Sequence, residues 1–183
     1  MMIQFNEQGF LIGVAVLCIL LSVLWRRKHS LSYLVFFAAF WFYLLAVVSV
    51  VIFPIVVDPD YPNGKFQLSV NFIPFYFGNC FTTANLCIRS ILENILLTVP
   101  FGFGINFLLK IKPKNIFWLA LFVGGMFELA QLIISIVFRS GFRAIDINDV
   151  ILNGAGVLVG YGIFRGFAWL YIKLANNFTS SPS

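Results

Sequence analysis

Long apolar stretches broken by short polar clusters set the pattern of this chain, and their lengths predict five membrane-crossing helices. The stretches run from about Gly9 to Trp25, Leu31 to Val57, Ile91 to Leu109, Ile116 to Phe138 and Asn148 to Ile172. Crossing a hydrocarbon layer of about 30 Å takes roughly 20 apolar residues, and each stretch meets or nearly meets that length. The second is long enough to tilt or to leave the membrane at Pro54. The third has an alternative start near Thr82, and Pro100 is placed to kink it. The expected fold is an all-α integral membrane protein, one membrane domain over 1–183, with 174–183 a disordered tail.

The clusters between the stretches orient them. Arg26, Arg27 and Lys28 separate spans one and two, Lys110, Lys112 and Lys114 separate spans three and four, and Lys173 follows span five. Five spans put all of these on one side, which the positive-inside rule makes cytoplasmic. The expected topology is therefore N-out and C-in, with an external loop between spans two and three. Glu7 precedes the first apolar run and no positive charge does, so that run reads as a true span rather than a cleaved signal. Within the external loop, Asp58-Pro59-Asp60-Tyr61-Pro62-Asn63-Gly64 reads as turns. Its two aspartates lack the spacing of an EF-hand and are read as solvated. The apolar Phe66 to Phe77 that follows is expected to lie at the membrane interface or to dip into it.

Polar groups are costly in hydrocarbon, so their positions carry information. Span four places Gly124, Glu128, Gln131 and Ser135 on one helical face, and span five repeats the spacing with Asp149, Asn153, Gly156 and Gly160. Span three carries a shorter stripe of Asn94, Thr98 and Gly102. Three faces of this kind are expected to meet around a cavity open to the outside. Asn94, Asp149 and Asn153 would lie near its mouth. Glu128 would form its floor, about 15 Å below the outer end of span four at the rise of an α-helix. The loop above would add Arg139, Arg143 and Asp146. For the glycines, close helix packing is the preferred reading. Asn94, Asn153 and Gln131 suit interhelical hydrogen bonds equally well. An isolated carboxylate at the depth of Glu128 must be neutral, paired with a base such as Arg143, or wet.

Composition removes whole classes of function. The chain is 61% hydrophobic and 10% charged, whereas a soluble domain carries about 25% charged residues, so a water-covered exterior cannot be built. The net charge of +5 comes from short clusters between spans rather than one basic face, which argues against nucleic acid as a partner. Cys18, Cys80 and Cys87 lack metal-ligand spacing; Cys18 reads as packing, and the pair Cys80 and Cys87 admits a disulfide without favouring one. His29, the single histidine, falls in the cytoplasmic cluster. No cofactor is expected.

Four segments, in order, resemble the VanZ-like family: Asn71-Phe72-Ile73-Pro74-Phe75, Glu93 through Gly102, Glu128-Leu129-Ala130-Gln131, and Arg143 through Gly156. They cover about 71–161. The first two spans carry no part of the signature. The resemblance implies a bacterial plasma-membrane protein, in a family whose founding member is associated with low-level resistance to teicoplanin, a glycopeptide bearing a fatty-acyl chain. Carried over by position, it marks Asn71, Pro74, Asn94, Pro100, Gly102, Glu128, Gln131, Arg143, Asp146, Asp149, Asn153 and Gly156.

Three functions compete. In the first, a non-enzymatic envelope factor uses Asn71, Asn94, Glu128, Gln131, Arg143, Asp146, Asp149 and Asn153 to bind an amphiphile. The ligand would be membrane lipid, a lipid-linked cell-wall precursor or the lipoglycopeptide itself, with Arg143 as a bidentate donor to an anionic headgroup. In the second, a membrane enzyme uses Glu128 as general acid or base, or Asp146 and Asp149 to hold a divalent cation. Against it stands the lack of a His/Cys cluster, an activated-serine motif or a Gly-rich phosphate loop. In the third, a proton-coupled transporter or flippase relays protons through Glu128, though no inverted repeat is visible. The metal question and the oligomeric state stay open at the level of sequence.

Overall fold

A computed structural model describes residues 2–56, 69–78, 84–138 and 145–179. Its elements in order are β1 (Met2–Ile3), α1 (Glu7–Arg26), α2 (Leu31–Val51), β2 (Ile55–Val56), β3 (Val70–Asn71), α3 (Ala84–Leu108), a 3-10 turn (Pro113–Asn115), α4 (Ile116–Val137), β4 (Ile145–Asp146) and α5 (Ile147–Thr179). Among the described residues, five helices are long and apolar enough to cross a membrane. The protein is a multi-pass all-α membrane protein.

Local chemistry starts and stops these helices. The Asn6 side chain accepts the Gly9 amide at the head of α1, and Ser30 accepts the Tyr33 amide at the head of α2, each relieving an amide that the helix leaves without a partner. Lys28 adopts a left-handed φ of 60° between the two helices. Pro113 opens the short turn that leads into α4, where its missing amide costs nothing.

Helices α3, α4 and α5 form the packed body, and small residues set the distance between them. Helices α3 and α5 run parallel: Asn94 meets Asp149, Thr98 meets Asn153, and Gly102 lies against Val157. A methyl on Gly102 would land on the Val157 carbonyl oxygen, one on Gly156 would strike Thr98 and the Ile95 carbonyl, and one on Gly160 would strike the Val99 carbonyl. Helix α4 runs antiparallel to α5, with Gly124 against Val150 and Ala120 against Gly154. Lipid supplies no hydrophobic drive between helices, so backbone approach of this kind is what holds them.

The α1–α2 hairpin lies beside this body and is held by larger side chains. Gly13 packs on Leu45, and the Trp41 indole donates to the Gly13 carbonyl at 3.0 Å. Phe36, Phe40 and Tyr43 of α2 face α3, where Phe36 meets Phe107 and Phe40 meets Phe101. The Tyr43 hydroxyl donates to the Leu97 carbonyl at 2.6 Å.

Both strand pairs sit at one end of the bundle. β1 pairs antiparallel with β2, and β3 pairs parallel with β4. The turns between α1 and α2 and between α3 and α4 carry the basic clusters at the other end. No strand was expected from sequence, because two-residue pairings leave no periodicity to read. Helix α3 begins at Ala84, at the earlier of its two expected starts, so Asn94 lies about 15 Å along it rather than near its tip. Pro100 sits inside α3, which continues through it from Ala84 to Leu108. Helix α5 carries on to Thr179, so 174–179 of the expected disordered tail is helical. Residues 180–183 fall outside the described residues, as do Asp58 and Asp60.

Candidate functional site

The site is assembled where β4 feeds α5. Asp146 closes β4, and its carboxylate accepts the Asn148 amide at 2.8 Å, capping α5 as an aspartate at that position does. The same carboxylate oxygen accepts the Asn71 side-chain amide at 2.9 Å, which ties β3 to the cap. The backbone amide of Asp146 donates to Glu128 at 3.0 Å. The acid deep in α4 therefore grips the strand that starts α5.

Asn148, one residue before Asp149, organises the loop that follows β3. It is buried, its side-chain oxygen accepts the Phe75 amide, and its side-chain amide donates to the Tyr76 carbonyl at 2.8 Å. Asn71 reaches that same carbonyl at 3.0 Å, and its oxygen accepts the Ile73 amide. Two asparagines from opposite sides thus fold the Phe72–Tyr76 segment onto the head of α5.

A cavity of about 280 Å³ opens between this loop, the start of α3 and the first turns of α5. Ser69, Asn71, Ser90, Asp146, Asn148 and Asp149 give it polar walls, while Tyr76, Phe77, Cys87 and Leu152 give it apolar ones. Asp149 is held from behind by the Asn94 side-chain amide at 2.6 Å. Cys87 is disulfide-bonded; of the other two cysteines, Cys18 is free and Cys80 falls outside the described residues.

Of the residues singled out from sequence, Asn71, Asp146 and Asp149 line this cavity. Asn94 and Glu128 stand behind the wall, each bonded to an atom of a wall residue. Asn153 lies one turn beneath Asp149 and donates to its carbonyl at 2.8 Å, and Thr98 donates to the Asn153 carbonyl at 2.7 Å. Among the described residues, the Asn153 side-chain oxygen is buried without a hydrogen-bond partner. Gln131 turns away to α2, with its amide 3.4 Å from the Val51 carbonyl. Arg139 and Arg143 fall outside the described residues. Among the described residues no group of three His, Cys, Asp or Glu side chains converges as metal ligands do.

Sequence reasoning passed over Asn148, Ser69, Ser90 and the carbonyl of Tyr76. Asn148 carried a usable signal, because it sits between two acids at the head of a span, where a capping role is expected. Ser90 carried one too, four residues before Asn94 on the α3 stripe, whereas Ser69 and the Tyr76 carbonyl carried none, since loop geometry after the β3–β4 pairing brings them there.

Comparison with curated proteins and with solved structures found no match. A family model described as VanZ/LLP1 does match, over residues 40–171. That range begins midway along α2 and contains every residue of the β3–β4 pair, the cavity and the α3–α5 seam, and the chain belongs to the VanZ/LLP1 family.

Proposed function

We propose that this protein is a non-enzymatic envelope factor that binds the headgroup of an amphiphile in the Asn71–Asp146–Asp149 cavity and thereby lowers susceptibility to teicoplanin-type lipoglycopeptides. The supporting observation is the cavity itself. Its polar groups are fixed by bonds from behind, from Asn94 to Asp149 and from Glu128 to the Asp146 amide, which is how a binding site is held ready before its ligand arrives. Two carboxylates and two serines make its described wall rich in acceptors, matching hydroxyl or ammonium donors on a lipid or lipid-linked precursor. Arg143, three residues before Asp146 in sequence, would add a bidentate donor for a phosphate.

Orientation belongs to the same reading. The basic clusters lie at the end opposite the cavity, so the positive-inside rule turns the cavity outward. A disulfide at Cys87, in the cavity wall, fits an oxidising exterior. The membrane would be the bacterial plasma membrane, where an outward cavity meets cell-wall precursors and the antibiotic.

Teicoplanin and vancomycin susceptibility in a sensitive Gram-positive host tests this reading. The strains express wild type, Asp149→Asn, Glu128→Gln or Arg143→Ala at matched membrane levels. Wild type is expected to protect selectively against teicoplanin in proportion to its amount, with protection reduced several-fold in each variant. Full protection by all three variants would show that the polar cluster serves the fold alone.

A further inference from the structure

The loop that meets the cavity at Tyr76 presents a second surface. Phe72, Ile73, Phe75 and Tyr76 are 76%, 63%, 74% and 56% exposed, four large apolar side chains on five consecutive residues. No charged residue occurs from Phe66 to Ile88. The backbone behind these side chains faces the protein. The Ile73 amide goes to Asn71, the Phe75 amide to Asn148, the Tyr76 amide to the Ile73 carbonyl, and the Tyr76 carbonyl accepts from both asparagines. Pro74 has no amide to satisfy. Non-helical backbone can meet lipid only when its polar groups are paired within the protein, and this loop pairs three of its amides and the Ile73 and Tyr76 carbonyls in that way. Phe75 also holds a left-handed φ of 62°, a conformation that bulky residues avoid unless their surroundings impose it.

The depth of the loop follows from its tethers. Helix α4 continues from Glu128 to Val137, about 13 Å past the residue that grips Asp146. Helix α3 begins at Ala84, about 15 Å before the residue that holds Asp149. From the opposite side, Glu128 stands about 18 Å above the start of α4 at Ile116, within a hydrocarbon layer of about 30 Å. On α3 the exposed side chains of Arg89 and Glu93 neutralise each other one turn apart, at 2.6 Å. The loop is let into the bundle beside these turns rather than laid across its top.

We infer that the Phe72–Tyr76 loop is a re-entrant lip seated in the acyl region of the leaflet at the cavity end, with lipid chains as its partner. Its apolar side chains continue the lipid-facing belt of the five spans, and its last residue, Tyr76, reaches the cavity wall. The cavity beside Tyr76 therefore lies beneath the membrane surface, at the level of the lip. On the proposed function, on which this last step rests, the ligand reaches the site through the leaflet, and a freely water-soluble molecule of the same head chemistry does not.

Nitroxide depth measurement in phosphatidylcholine–phosphatidylglycerol vesicles tests the lip with no ligand present. Cys18, the free thiol among the described residues, is replaced by serine. Single labels are then placed through Ile73→Cys or Phe72→Cys, with Ile133→Cys on the exposed face of α4 and Arg27→Cys at the basic end as references. The lip labels are expected to favour collisions with dissolved oxygen over those with a water-soluble nickel chelate, matching position 133. Adding Asn148→Ala should raise nickel access at position 73 at least twofold. Lip labels that behave like position 27 while position 133 stays oxygen-favoured would overturn the inference. Because no antibiotic enters the experiment, the lip can stand while the functional reading falls, and the reverse.

Discussion

The α3–α5 seam and the α1–α2 hairpin solve the same problem in opposite ways. Both must hold helices together in a solvent as apolar as their own surfaces. The seam removes side chains until backbone meets backbone, at Gly102, Gly156 and Gly160, and then adds hydrogen bonds from Thr98 and Asn94. The hairpin keeps its aromatics and leans them on its neighbours, with Trp41 and Tyr43 each contributing one bond to a carbonyl. The cavity borders the first kind of contact, with Asp149 held by Asn94 across the seam. The family match begins at residue 40 and so omits α1 and the first half of α2. The closest helix packing sits where the polar site is built.

Substitutions that load one side of this comparison test it. The largest effect is expected from Gly156→Ala, whose methyl meets Thr98 and a fixed carbonyl of Ile95. Overpacking against backbone should cost about 3 kcal/mol, read as loss of folded protein or a lowered thermal midpoint in detergent. Thr98→Val keeps the shape and removes the bond to Asn153, a change worth about 1 kcal/mol for an interhelical bond in lipid. The Asn153 carbonyl already has a helical partner to fall back on, which limits the loss. Trp41→Phe, on the hairpin side, should cost less than about 1 kcal/mol and leave ligand-dependent protection unchanged. Gly162→Ala is the null: nothing lies within 4 Å of its added methyl, so stability should hold or rise slightly with the better helix former. A hairpin substitution that damaged protection as much as Gly156→Ala would erase the distinction.

Much of this arrangement is legible in the sequence. Helical spacing alone puts Asn94 and Thr98 on one face and Asp149, Asn153 and Gly156 on another, and these two faces do meet. The spacing on α4 is a weaker guide. Glu128 turns toward Asp146 while Gln131 turns toward α2, because three residues along a helix fall about 60° short of a full turn, enough to separate neighbours at the edge of a face. Periodicity could not reveal that Asn71 and Asp146 share a hydrogen bond, since they are joined by two-residue strands far apart in the chain. Nor could it reveal that Glu128 binds a backbone amide rather than lining the cavity. Such contacts depend on loop geometry, which leaves no repeat in a sequence.

The most direct test of the account places a photoreactive diazirine at Ser90, in the cavity wall, and irradiates intact cells before mass analysis of the purified protein. An adduct through the headgroup of a lipid or lipid-linked precursor is expected, lost in Asp149→Asn. A diazirine at Leu121, on an exposed face of α4, should give acyl-chain adducts in both proteins. Capture of water alone at position 90, with acyl adducts still formed at position 121, would contradict the claim that this cavity holds an amphiphile.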